Sequence, residues 1–321
     1  MKYYLAPMEG ITGYVYRNAY NKYFHNIDKY FTPFIIPNKS RKLKTRELRD
    51  VLPENNKDIN VIPQILTNNA EHFISTTRRL QEFGYNEVNL NLGCPSRTVV
   101  SRFKGSGFLA KREELDIFLD EIYKMDHIKI SIKTRIGKEN PEEFYELLKI
   151  YNKYPISELI IHPRTQRDYY NNKPNLKVFS DAIDISNSSI CYNGNIFTQD
   201  DYYNIYNELK DLNKVMLGRG IISNPALMDN IKGDKKPINK QKLKDFHDEI
   251  VNEYLEMFHN EVNVLFKMKE LWGYMIYLFS NNTKYGKKIR KSKNLSEYKD
   301  VVEILFINEE ILQNPEIIWR T

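Results

Sequence analysis

The chain has 321 residues, two cysteines and a formal charge of +6, which is long enough for a barrel of about 250 residues or fewer and a smaller domain. Two cysteines cannot make a disulfide framework, the N-terminus carries no apolar leader, and no apolar run approaches the roughly 20 residues of a membrane span. The expectation is a cytoplasmic protein with no membrane contact. Its basic residues cluster: 37–49 holds six Lys or Arg against one Glu, and 284–293 holds six against none, a distribution that suits a polyanion.

In chain order, short apolar runs alternate with longer amphipathic ones. Strands are predicted at Tyr3–Ala6, Lys29–Phe34, Val61–Leu66, Glu87–Asn91, Ile128–Thr134, Glu158–His162, Ser189–Tyr192 and Val215–Leu217. Helical spacing fills the intervals, as in Ala70–Phe83, Arg112–Tyr123 and Pro141–Tyr154. Eight such repeats within about 235 residues argue for an α/β fold, a closed (β/α)8 TIM barrel. An open doubly wound sheet would want a Gly-rich first turn, and Ala-Pro-Met-Glu-Gly at 6–10 is not one. After a linker at 232–237 the pattern turns purely helical. Phe246, Ile250, Tyr254 and Met257 share one face, Leu265, Met268, Leu271, Trp272 and Met275 a second, and Tyr298, Val301, Val302 and Leu305 a third. The expected division is a catalytic barrel over 1–235 and a bundle of about four helices over 236–321. The run Lys284–Lys293, with Tyr285, is placed between two of these helices.

Several strands end in polar residues that would share the C-terminal rim, the catalytic face of such barrels. These are Pro7 and Met8, Gln64, Asn91 and Cys94, Lys133 and Arg135, His162 and Arg164, Asn193 and Gly194, and Gly218, Arg219 and Gly220. A lone cysteine is often just a small buried hydrophobe. Cys94, however, stands between Gly93 and Pro95 and precedes a basic, Gly-containing run to Gly107, a setting that a core thiol does not need. The six His and two Cys show no ligand spacing, so no metal is expected.

Leu5-Ala-Pro-Met-Glu-Gly10, Asn89-Leu-Asn-Leu-Gly-Cys-Pro-Ser96, Lys133-Thr-Arg-Ile-Gly137, His162-Pro-Arg-Thr165, Asn193-Gly-Asn-Ile196 and Leu217-Gly-Arg-Gly220 resemble, in order and spacing, the flavin-dependent tRNA-dihydrouridine synthases. The resemblance implies an FMN barrel followed by a helical tRNA-binding domain, with NADPH or NADH reducing the flavin. The product would be 5,6-dihydrouridine, formed by hydride from flavin N5 to uracil C6 and a proton to C5. Pro7, Met8 and Gln64 would then contact the isoalloxazine and His162 would line it. Lys133 would sit by the N1/O2 edge, where reduction accumulates negative charge. Asn193, Gly194, Gly218 and Arg219 would hold the phosphate. Asn91 would offer its amide to the uracil, with Arg135 and Arg164 also on the substrate side, and Cys94 would be the general acid.

Lys284, Lys287, Lys288 and Arg290 would contact tRNA phosphates, and Tyr169 and Tyr170 are candidate stacking partners. A monomer is expected. Phe108 after Gly107, Pro163 after His162 and Asn195 in the Asn-Gly-Asn turn depart from the usual family pattern, which leaves the target uridine open. A flavin enzyme acting on a free pyrimidine, in the manner of dihydroorotate dehydrogenases, a synthase acting on ribosomal RNA, and a non-catalytic RNA-binding barrel are the alternatives.

Overall fold

In the computed structural model, which describes residues 1–38, 42–209, 211–233 and 238–312, every predicted strand is present. In chain order they are β1 (Lys2–Leu5), β2 (Lys29–Phe31), β3 (Val61–Ile62 and Gln64–Ile65), β4 (Glu87–Leu92), β5 (Lys129–Arg135), β6 (Leu159–His162), β7 (Ile190–Tyr192) and β8 (Lys214–Leu217). All pair in parallel. The ring closes through β3, whose first half pairs with β2 and whose second half pairs with β4. Pro63 separates the halves because it has no N–H to give the ladder, although its carbonyl still accepts from Asn89 N–H at 2.9 Å.

Outside the ring lie α1 (Tyr14–Phe24), α2 (Ala70–Glu82), α3 (Arg112–Ile122), α4 (Glu143–Tyr151), α5 (Leu176–Ile185), α6 (Gln199–Glu208) and the short α7 (Arg219–Ser223). The bundle follows as α8 (Lys240–Phe258), α9 (Glu261–Met275), α10 (Asn282–Lys291) and α11 (Leu295–Asn308). The expected break at 235/236 and residues 39–41 of the first basic run lie outside the described residues. The second basic run lies between α9 and α11, as expected, and is itself helical, making up most of α10, which is anchored by the buried Tyr285 and Ile289. Asn69, Asn175, Thr198, Asn239, Asn260 and Asn294 each stand just before a helix and accept a first-turn backbone N–H. Such caps contribute about 1 kcal/mol each.

Tyr4, Ala6, Phe31, Ile62, Ile160, Cys191 and Met216 fill the barrel interior, so Cys191 is a packed core thiol. The floor is polar: Glu158 Oε1 accepts from Tyr4 Oη at 2.9 Å and pairs with Lys214 at 2.8 Å, while its Oε2 faces Lys29 at 3.8 Å without a hydrogen bond. Between strands and outer helices runs a second core, and it continues unbroken into the bundle. Phe246 of α8 is the joint. Its ring meets Tyr16, Tyr20, Tyr23 and Phe24 of α1 at centroid distances of 5.4–6.5 Å, all near edge-on. Within the bundle, Tyr298 Oη receives the Trp272 indole N–H at 2.7 Å and lies 2.5 Å from His247 Nε2. Burial holds His247 below its usual pKa, so it is a neutral acceptor there.

Candidate active site

Side chains alternate along a strand, so Asn89 and Asn91 on β4 point the same way, as do Ser131, Lys133 and Arg135 on β5. Register then places Gln64 beside Asn89, Asn91 beside Lys133, and Arg135 beside His162. A relay of amides results. Asn91 Nδ2 donates to Gln64 Oε1 at 2.7 Å, Gln64 Nε2 to Asn89 Oδ1 at 2.8 Å, and Asn89 Nδ2 to Ser131 Oγ at 2.9 Å. The other end of Asn91 holds the loop that carries the thiol: its Oδ1 accepts from the Gly93 and Cys94 N–H groups, both at 3.0 Å.

The Cys94 loop is gripped from its far side as well. Ser106 donates to the Cys94 carbonyl from its N–H at 3.1 Å and its hydroxyl at 2.9 Å. Gly105 makes this approach possible, because its φ is +56° and a methyl there would sit 2.7 Å from the Cys94 carbonyl oxygen. The thiol is partly covered. Burial raises its pKa, only partly offset by the Ser96 N–H and by Arg135 and Lys133, so it carries its proton at neutral pH.

Beside the thiol loop is a cationic cleft bordered by Pro7, Met8, Lys133, His162, Asn193, Gly194, Gly218 and Arg219. Lys133 forms no hydrogen bond or ion pair among the described residues, and burial, followed by the neighbouring Arg135, pushes its pKa down to about 8. His162 is buried and faces Arg135, Lys133, Arg164 and Arg219; burial and these charges hold it well below its usual pKa. Arg164 Nη1 donates to His162 Nε2 at 2.9 Å, which leaves the imidazole proton on Nδ1. Asn195 bridges two guanidiniums, accepting from Arg164 Nη1 at 3.2 Å and Arg219 Nη2 at 3.0 Å. Asn193 donates to the Met216 carbonyl at 2.8 Å, tying the β7 and β8 turns together.

Two arginines expected on the substrate side are committed to partners within the protein, Arg135 to backbone and Arg164 mainly to side chains. Arg135 donates to the carbonyls of Gly93, Thr165 and Tyr169 at 3.0, 2.7 and 2.8 Å, so it clamps the thiol loop to the loop after β6. Arg164 donates to Asn172 O at 2.5 Å in addition to its two contacts above. Tyr170 lies over Arg219, 4.2 Å from guanidinium carbon to ring centroid, with the His162 ring at 5.9 Å, and both Tyr169 and Tyr170 are exposed. Lys284, Lys287, Lys288 and Arg290 stand apart from this cleft, exposed on α10.

Asn89 and Ser106 are members of this constellation that the sequence did not single out, and Asn195 stood out there only as a departure from the family pattern. The nearest signal was spacing: Asn89 is two residues before Asn91 and therefore on the same face of β4. Three guanidiniums, a neutral imidazole and an ammonium without a counter-ion among the described residues suit a planar, phosphate-bearing anion. Glycine turns after β7 and β8 leave room for its phosphate.

The dihydrouridine synthase family model matches residues 4–314. A tRNA-dihydrouridine(16) synthase of Neisseria meningitidis serogroup B is 25% identical, with 93% of this chain and 92% of that protein covered. A probable tRNA-dihydrouridine synthase 2 of Bacillus subtilis is 26% identical over 78% and 79% of the two chains. Among solved structures, morphinone reductase superposes with a TM-score of 0.50 at 10% identity, covering 72% of this chain and 85% of that one, a likeness of fold.

Proposed function

The chain belongs to the dihydrouridine synthase family and is a uridine-reducing oxidoreductase; from that premise we propose that it converts uridines of tRNA to 5,6-dihydrouridine, with FMN as resident cofactor and NADPH or NADH as electron source. The observation that carries this reading is a protonated thiol, Cys94, held at both ends of its loop beside a cleft in which the Lys133 ammonium meets no counter-ion among the described residues. FMN, when bound, supplies the hydride that adds to uracil C6. Lys133, His162 and Arg219, with the glycine turns at 194 and 218, would hold that cofactor, and Pro7, Met8 and Gln64 would border its ring.

The remaining work belongs to the protein. Hydride addition breaks the C5=C6 double bond and leaves an electron pair at C5. Cys94 Sγ gives its proton to C5, completing the two-hydrogen gain, and the thiolate takes up a proton from solvent afterwards. Asn91 keeps one amide N–H beyond its bonds to Gln64 and the thiol loop, and this donor is the one we assign to a uracil carbonyl. Arg135 and Arg164 serve the substrate by fixing the loops that flank it. The bundle, from residue 236 on, is the proposed tRNA-binding unit, with the exposed α10 as its phosphate-contacting edge. Action as a monomer is part of the same reading, and a tRNA substrate supports a cytoplasmic location. Among the described residues no helix is long and apolar enough to cross a membrane.

The test uses purified protein, NADPH and unmodified tRNA, with digestion and mass measurement of the fragments for the two-hydrogen gain. Position 16 is scored first, because the Neisseria relative that carries this number in its name matches through the bundle. Cys94→Ala should retain flavin and NADPH oxidation by oxygen while dihydrouridine formation falls by about 10²–10⁴-fold, the range for losing a general acid. A yellow, NADPH-oxidising protein that leaves every tRNA unchanged would overturn the substrate assignment, and equal loss of both activities in the variant would overturn the role of Cys94.

A further inference from the structure

A second cavity, of about 340 Å³, lies between the loops leaving β1 and β2 and the bundle helices α8 and α9. Tyr14, Tyr254, Met257 and Phe258 give it carbon-rich, largely aromatic walls. Its rim is basic, formed by Arg46, Arg49 and Lys267. Two of these cations are partly spoken for. Arg46 pairs with Glu9, and Lys267 donates to the Gly10 carbonyl at 2.7 Å. Arg49 is different, since among the described residues its guanidinium meets no carboxylate. The one acid in the lining, Asp50, accepts from the Tyr14 N–H at 2.8 Å and faces the fully buried Arg17 at 3.9 Å, so it is not free to neutralise Arg49.

The cavity is linked to the reacting centre. Gly10, in its wall, ends the same turn that begins with Pro7 and Met8 in the cationic cleft, and Glu9 between them reaches Arg46 on the rim. Both domains build it, so it exists only when the bundle is docked. Arg17 fixes its back wall by donating to the carbonyls of Thr12 and Asp50 at 2.8 and 2.6 Å and to Asn56 Oδ1 at 2.8 Å. An aromatic slot with an unpaired guanidinium at its mouth matches an unstacked nucleobase and its phosphate. Bases stack on aromatic side chains whatever their identity, and guanidinium grips phosphate by paired N–H groups.

We propose that this cavity receives a second base of the RNA substrate, a few nucleotides from the reduced uridine, with the adjoining phosphate on Arg49. The inference rests on the tRNA reading above and adds a specificity site to it. The barrel takes the uridine, the seam between domains takes the second base, and the spacing between the two along the strand selects which uridine can enter.

The experiment is a double-mutant comparison on tRNAs that carry a single abasic nucleotide at each position within several residues of the target. Arg49→Ala removes the phosphate partner, and Met257→Trp fills the slot. Wild-type protein should show one position besides the target where loss of the base raises KM by about ten-fold, the scale of one stacked base. At that position alone the Met257→Trp variant should show no additional loss. Arg49→Ala should raise KM on intact tRNA by a similar factor and lower the salt slope by about one, with NADPH oxidation by oxygen unchanged. Equal responses of wild type and both variants across all abasic tRNAs would overturn the proposal while leaving the tRNA reading intact. So would a rise confined to KM for NADPH, which would assign the cavity to the adenosine end of the reductant. Wild-type protein that neither binds nor reduces tRNA would overturn both.

Discussion

Lys133 shows how one residue couples the barrel's shape to its chemistry. Its position on β5 puts an ammonium in the barrel mouth beside Arg135, and burial together with that neighbour brings its pKa to about 8. A lysine with a lowered pKa is charged below that value and neutral above it. An anion arriving beside it reverses the shift, so binding the anionic, reduced form of the cofactor draws in a proton between about pH 8 and the ordinary lysine value of about 10.4. The expected outcome is that the potential of bound flavin, followed spectroscopically from pH 7 to 10, changes slope near pH 8 in the wild type. Lys133→Met should lose that inflection and be reduced by NADPH at least ~10-fold more slowly, since one preorganised charge stabiliser commonly contributes about 10²–10³ in rate. Matching pH profiles in the two proteins would count against the lysine.

At this scale the sequence showed which residues gather but not what they do for one another. Cys94, Lys133 and His162 were legible from their places at strand ends. That Arg135 gives three donors to backbone carbonyls, or that Ser106 reaches back to Cys94, depends on loops meeting across the barrel mouth, which no local pattern encodes.

Among the elements, α10 is the one whose sequence is least like its role in the fold. Only Tyr285 and Ile289 are buried, while Lys284, Lys287, Lys288 and Arg290 face water. With just two apolar anchors four residues apart, the charge density hides the helical period, so the run's place between two helices was legible but its own helicity was not. As a helix it offers a rigid row of cations, two of them, Lys284 and Lys288, lying 5.2 and 5.4 Å over the Tyr285 ring. Reversing charge at Lys287 and Arg290 to Glu is expected to weaken tRNA binding roughly equally for all sequences and to flatten the dependence of log K on log salt by about 0.9 per lost phosphate contact. Fluorescence titration at several salt concentrations measures that slope, and an unchanged slope would remove α10 from the RNA interface. The strands, by contrast, were plain in the sequence, because inward and outward residues alternate in short runs bounded by breakers. The break in β3 at Pro63 was the detail that reading 61–66 as one strand concealed.

For the molecule as a whole, the linker and the change to helical spacing marked where the bundle begins, but amphipathic stripes say only that a face is covered, not by what. The cover for α8 is α1, at the opposite end of the chain, and the two regions share one core. Phe246→Ala should therefore destabilise the protein as a unit by about 3–5 kcal/mol, with a single lowered transition reported by both flavin release and far-ultraviolet dichroism. Two separated transitions would show that barrel and bundle melt independently.

The same joint sets a timetable for synthesis. When α1 leaves the ribosome, Tyr16, Tyr20 and Phe24 have no Phe246 to meet, and at ~5–20 residues per second the intervening chain takes on the order of ten to forty seconds to appear. Through that interval the nascent barrel carries an uncovered aromatic face, a surface suited to a chaperone or to an unwanted neighbour. Its proper partner appears only after every strand of the ring has been translated, so α1 is finished later than the barrel strands that follow it.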